Sequence, residues 1–284
     1  MKRAITVLSV ISAVTTVLSA CTGVLYTNGG TRRVVESIHG AKITLWGDGV
    51  YANNSLLKTG ATKGTDVVLI LAAILLIVVT VALKNPRLQL LLRTGLLSIV
   101  SYAATCLVMG VSFNSLFLLY VLQFGSSMFA FLLSLHQLIL TEPYSNAVYE
   151  RKFTGTGIFL IISGCSVLMW LTFIIPALLT GKPMETLEIY TTEPTFVLDL
   201  AIILPVALFC GIMLLKKRRI GYKMAPVLLT LLTGVGLCVI FQSVYQLSLG
   251  LELSPGQLMG LAGTFIILGS IAAVLNIRIL RYVK

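Results

Sequence analysis

Asp199 is the residue whose place in the sequence most demands a chemical explanation. It stands in Thr195-Phe-Val-Leu-Asp-Leu-Ala201, an otherwise apolar run, ~6–8 Å inside it if the run is helical at about 1.5 Å per residue. A carboxylate in hydrocarbon costs a few kcal/mol or more, so an intramembrane acid is read first as a binding or proton-handling group. The competing reading is an acid near a helix N-terminus, stabilised by the helix dipole and interfacial water. Pro205, further along the same run, predicts a kink that frees a backbone carbonyl at a similar depth.

Neutral polar residues recur at helical spacing around it. Tyr120, Gln123, Ser127 and Ser134 form one stripe, Ser98, Ser101, Tyr102 and Thr105 a second, and Gln242, Tyr245 and Gln246 a third. By depth, Tyr102, Tyr120, Gln123, Gln242 and Gln246 belong with Asp199 in one polar cavity for a small molecule or ion. Ordinary interhelical hydrogen bonding, at about 0.6–2 kcal/mol per contact, is the alternative. Asp66 follows Gly64-Thr65 and reads as a helix cap, Arg93 as a side chain snorkelling to the headgroups, and His136 as a structural histidine. Cys106, Cys165, Cys210 and Cys238 lie singly in apolar runs, so no metal or redox pair is expected. Neither a Walker lysine loop nor H-E-x-x-H nor G-x-S-x-G occurs, which argues against an enzyme and against a cofactor.

The elements that hold these residues follow from composition. Of 284 residues, 57% are hydrophobic and 11% charged, far from the roughly 25% charged residues of a soluble domain. Apolar runs fall near 4–26, 67–83, 88–111, 115–140, 156–181, 195–215, 224–249 and 256–277. Each is long enough to cross ~30 Å of hydrocarbon, and in lipid each must be helical. The expected fold is an all-α integral membrane protein, an eight-transmembrane-helix bundle. The net charge of +11 resolves by position. Basic residues cluster in alternate loops, at Lys2-Arg3, Lys84 with Arg87, Arg151-Lys152, Lys216 to Lys223, and the C-terminus. That places both termini in the cytoplasm and gives no support to nucleic acid as a partner. Residues 27–65, outside, contain β-prone stretches at 33–40 and 42–46 and a Gly47-Asp48-Gly49 turn, predicting a two- or three-stranded extracytoplasmic β-hairpin cap. Such a hairpin is marginal alone and must lean on helix ends.

Leu18-Ser19-Ala20-Cys21 resembles the lipobox of bacterial lipoproteins, which would make Cys21 a lipidation site after loss of residues 1–20. The apolar residues that follow fit a first transmembrane helix instead. Gly256-x-x-x-Gly260 and Gly269-x-x-x-Ala273 predict close helix contacts, within the chain or with a second protomer or membrane partner. Asn114 to Tyr120, Tyr190 to Pro205 with its Val-Leu-Asp-Leu core, and Gly221 to Pro226 resemble an uncharacterised family of bacterial multi-pass plasma-membrane proteins of seven to eight helices. The resemblance implies a bacterial plasma membrane and no activity. On the residues alone, a small-solute or ion transporter or channel built around Asp199 is expected. A sensory or accessory subunit using the 27–65 loop is the second reading and a membrane-embedded enzyme the third.

Overall fold

The computed structural model describes residues 1–252, 256 and 262–283. Its helices are α1 (Lys2–Leu25), α2 (Leu56–Ala82), α3 (Pro86–Gly110), α4 (Phe117–Leu140), α5 (Thr154–Thr180), α6 (Pro194–Leu215), α7 (Arg219–Ser248) and α8 (Gly263–Leu280). All eight are long and apolar enough to cross a membrane, the make-up of a polytopic membrane protein. Local signals set their starts. Ser55 accepts from the backbone N–H of Lys58 to cap α2, Asn85 caps α3 ahead of Pro86, and Glu193 caps α6 ahead of Pro194. Gly181, at φ 64°, ends α5 in the left-handed conformation.

A two-stranded antiparallel sheet joins α1 to α2. Strands β1 (Arg33–Glu36) and β2 (Lys42–Leu45) pair Val34 with Thr44 and Glu36 with Lys42. Their turn lies at 37–41, where Gly40 has φ 78°. Gly47-Asp48-Gly49 follows β2 and turns the chain, with Gly47 at φ 83° and Gly49 at φ 61°. It leads into a 3-10 turn, Gly49–Tyr51, and Asp48 accepts from the Asn28 N–H. The hairpin leans on helix ends as its size requires. Arg32 and Lys63 lie 5.6 and 5.5 Å from the Trp46 ring centroid, and Arg32 donates to the Leu249 carbonyl at the end of α7.

The helices do not pack simply in chain order. α7 lies against α2, α3, α6 and α8, while α1 packs on α2 and α4, and α5 chiefly on α6. Glycines set the critical approach. A Cβ at Gly64 would fall on the backbone of Gln242, and one at Gly60 would come within 2.7 Å of Gln246 Cγ, so α7 reaches α2 only where α2 has no side chain. Gly269 likewise faces Gly236, making that motif an internal contact; Gly260 lies outside the described residues. Most helical serines and threonines bond the carbonyl three or four residues back, as Thr94, Ser98 and Thr105 do.

Several expectations are corrected. α2 begins at Leu56, so the last ten residues of the 27–65 segment are helical rather than loop. The first turns of α2 carry Lys58 and Lys63, which read as loop, and Asp66, which read as a cap, yet all three face neighbouring protein. Asp66 is therefore no cap but a buried acid well inside the helix. Lys223 does not anchor to lipid. It is buried and donates to the Ile139 carbonyl at 2.7 Å and to Glu142 at 3.1 Å. Burial raises the Glu142 carboxyl, but Tyr149, Lys223 and Arg219 outweigh it and hold the group below its usual range. Arg93 is only 5% exposed, and its Nε has no hydrogen-bond partner among the described residues. His136 is exposed rather than a satisfied interior residue.

The α2–α7 contact yields the first prediction. Gly64→Val should lower stability by about 1–3 kcal/mol through overpacking, read as a lower melting temperature in detergent. Gly125→Ala, where a Cβ meets nothing within 4 Å, should leave it nearly unchanged.

Candidate functional site

α6 is not a regular α-helix. Residues Asp199–Ile203 form a π turn directly before Leu204-Pro205. Proline has no N–H to give the preceding turn, and the wider turn absorbs that mismatch without breaking the helix. α5 deviates in the opposite sense, tightening into a 3-10 turn at Val167–Trp170. The two irregular turns touch, and their contact is chemical. Trp170 Nε1 donates to Asp199 Oδ2 at 2.8 Å, and from α3 the Tyr102 hydroxyl donates to Oδ1, also at 2.8 Å.

Each carboxylate oxygen of Asp199 thus holds one neutral donor, in a side chain only 5% exposed. Among the described residues no lysine, arginine or histidine comes within 4 Å of it; the ion pairs there involve Glu193 and Glu142. Around the acid stands an aromatic wall. Trp170 stacks on Phe196 at 4.5 Å and on Phe265 at 6.0 Å, and Phe173 stacks on Phe196 at 6.4 Å.

This corner is the floor of a cavity of about 370 Å³ between α2, α3, α6 and α7, with α5 and α8 contributing aromatic rings. That volume falls within the range of small-molecule sites. Along α7 the lining runs from Leu231 to Gln246, roughly 22 Å at 1.5 Å per residue. The cavity therefore extends from the hairpin end to about mid-bundle. Below it, the opposite end is filled by a core that includes Leu160, Leu214, Tyr222 and Leu229, sealed by the Lys223–Glu142 pair.

At the hairpin end, the α5–α6 loop clasps the start of α2. Lys58 pairs with Glu193 at 3.1 Å and lies 5.4 Å from the Tyr190 ring centroid. Glu188 accepts from the Ser55 hydroxyl, and the Tyr190 hydroxyl accepts from the Ser55 N–H at 3.3 Å. Burial raises the Glu188 carboxyl, with Ser55 and Lys58 pulling the other way, and pushes the Tyr190 phenol up to about 12. Glu188 takes φ 48°, a left-handed conformation uncommon for a non-glycine residue, which tertiary contacts at this mouth must hold.

Of the residues singled out from sequence, Asp199, Tyr102, Gln242 and Gln246 line this one cavity. Gln242 donates to Thr65 at 2.8 Å and Gln246 to the Leu57 carbonyl at 3.4 Å, so both also tie α7 to α2. Tyr120 and Gln123 stand outside the lining. Gln123 accepts from Ser19 on α1 at 2.7 Å, and Tyr120 packs with Tyr51 in a separate cluster under the hairpin, where Tyr51 donates to Asp66 at 2.8 Å. The reason is angular: both residues share Asp199's depth, but α4 packs on α1 and α3, away from α6 and α7. Cys21 lies near the end of α1, whose buried face runs from Ile5 to Gly23, so loss of residues 1–20 would remove most of that packing. Among the described residues no group of three His, Cys, Asp or Glu is placed to hold a metal ion. Sequence reasoning passed over Trp170, Phe196, Lys58, Glu188 and Glu193. Only the pairing of Trp170 with the downstream Pro176 in α5 marked that helix as irregular.

The chain has two tryptophans, so in Trp46→Phe protein the indole of Trp170 reports this corner alone. Asp199→Ala in that background strands two buried donors at about 1–3 kcal/mol each. It should lower the melting temperature and shift Trp170 emission; unchanged emission would contradict the hydrogen bond. In comparisons with protein-family models, characterised proteins and solved structures, nothing matches the chain, so what the cavity accepts rests on its own lining.

Proposed function

We propose that the chain is a multi-pass protein of a bacterial plasma membrane that binds a small solute or ion in the Asp199 cavity and carries it inward. The observation that carries this reading is the cavity itself, a chamber lined by a buried acid that no cation among the described residues approaches. Orientation rests on the basic residues at the end opposite the hairpin, which make the hairpin an extracytoplasmic cap and the cavity outward-facing. The packed cytoplasmic half fits a transporter resting in its outward-open state. The family resemblance noted from sequence supports the same membrane and adds no activity.

A second reading draws on the same one-sidedness: a receptor or accessory subunit would also close its cavity at mid-membrane. Cysteine accessibility separates the two. In a cysteine-free background, Gln246→Cys should react with a membrane-impermeant methanethiosulfonate added outside intact cells. Val235→Cys, deeper in the lining, should react from both faces if the protein alternates access, assayed in cells and in inverted vesicles. Labelling of Val235→Cys from outside alone would favour the receptor. Labelling of either position from the cytoplasmic face alone would reverse the orientation.

A further inference from the structure

We infer that the occupant of this cavity is an amphipathic organic monocation, an ammonium or quaternary ammonium group on an apolar, aryl-sized body. The inference rests on the cavity being a solute site, as proposed above, and names the class of solute.

Charge is the first argument. Among the described residues the lining holds three carboxylates, Glu188, Glu193 and Asp199, and one cation, Lys58. Lys58 is committed to Glu193 at 3.1 Å. The floor thus holds a carboxyl with no cation partner, Asp199, which is buried and whose two protein partners are neutral donors. Trp170 can only donate through Nε1, so it engages the acid through an oxygen lone pair. A carboxyl group so placed is neutral or paired with a cation, and among the described residues no cation reaches it.

The second argument is that the chain displays the same recognition once already. At the mouth an ammonium, that of Lys58, lies between a carboxylate, Glu193, and an aromatic ring, Tyr190. On the floor a carboxyl group, that of Asp199, again stands beside aromatic rings, Trp170 and Phe196, with no ammonium from the described residues. Carboxylate plus aromatic wall is the general chemistry of ammonium recognition.

The third argument is the rest of the lining. Between mouth and floor it is apolar, formed by residues such as Ile99, Ala103, Val235 and Val239, and Gln242 is already bonded to Thr65. Small hydrated metal ions would find few oxygen ligands there. An apolar body carrying one cationic head fits both halves.

The test uses three probes with one body: 4-phenylbutylamine, 4-phenylbutan-1-ol and 4-phenylbutyrate. Binding to purified, full-length Trp46→Phe protein in detergent is read from Trp170 fluorescence and confirmed by calorimetry. The amine should bind at least tenfold more tightly than the alcohol, and the carboxylate should not bind. Asp199→Asn, close in size and shape, should weaken the amine at least tenfold and change the alcohol less than threefold. Because the ranking of probes is measured on protein with the native acid, it stands even if that variant folds poorly. Equal binding of amine and alcohol overturns the cationic class while leaving a solute cavity in place. Preference for the carboxylate overturns it as well. Failure of all three probes to bind overturns both this inference and the solute-site reading beneath it.

Discussion

An ionised or ionisable acid inside an apolar bundle needs partners, and at Asp199 the partners come from two other helices. Tyr102 on α3 and Trp170 on α5 each supply one hydrogen at 2.8 Å. That requirement ties three helices together at one point. α5 must tighten into a 3-10 turn to bring Trp170 forward, and α6 must widen into a π turn to present the acid. The glycine face of α2 then lets α7 approach closely enough to complete the wall.

The molecule divides into two halves of different character along its long axis. The hairpin half holds the cavity and, separately, the Asp66–Tyr51 pair under the hairpin. The other half is aromatic and aliphatic, with Tyr144, Tyr149 and Tyr222 packed edge to face and Lys223 pinned to the Ile139 carbonyl.

Hydrophobicity and a fixed rise per residue made depth legible in the sequence. The eight apolar helices, the level of Asp199, Tyr102, Gln242 and Gln246, and the strand-forming stretches at 33–36 and 42–45 could all be read along the chain. Direction around the helix axis could not. Gln123 and Tyr120 share the depth of the cavity but face α1 and the hairpin, and no single-sequence signal orders helices around a bundle. Charge misled at the start of α2, where Lys58 and Lys63 looked like loop and Asp66 like a cap because their partners, Glu193, Trp46 and Tyr51, come from other parts of the chain. Trp170 was hidden differently. An aromatic residue in an apolar run looks like core until its indole N–H finds an acid on another helix.

The π turn in α6 has a consequence for how the chain encodes its own interior. A π turn holds one residue more than the α turn it replaces, and one residue is about 100° of rotation in a helix of 3.6 residues per turn. Everything before Asp199–Ile203 is therefore turned by roughly that angle relative to the continuation of the helix into Leu204–Leu215. The acid's orientation is set by a count rather than by the identity of any neighbour. A deletion of a single residue between Asp199 and Pro205 would leave composition and hydropathy almost untouched while swinging the carboxyl out of register with Tyr102 and Trp170. Kindred sequences that keep every polar residue but differ by one residue in this stretch would thus be expected to have a different interior.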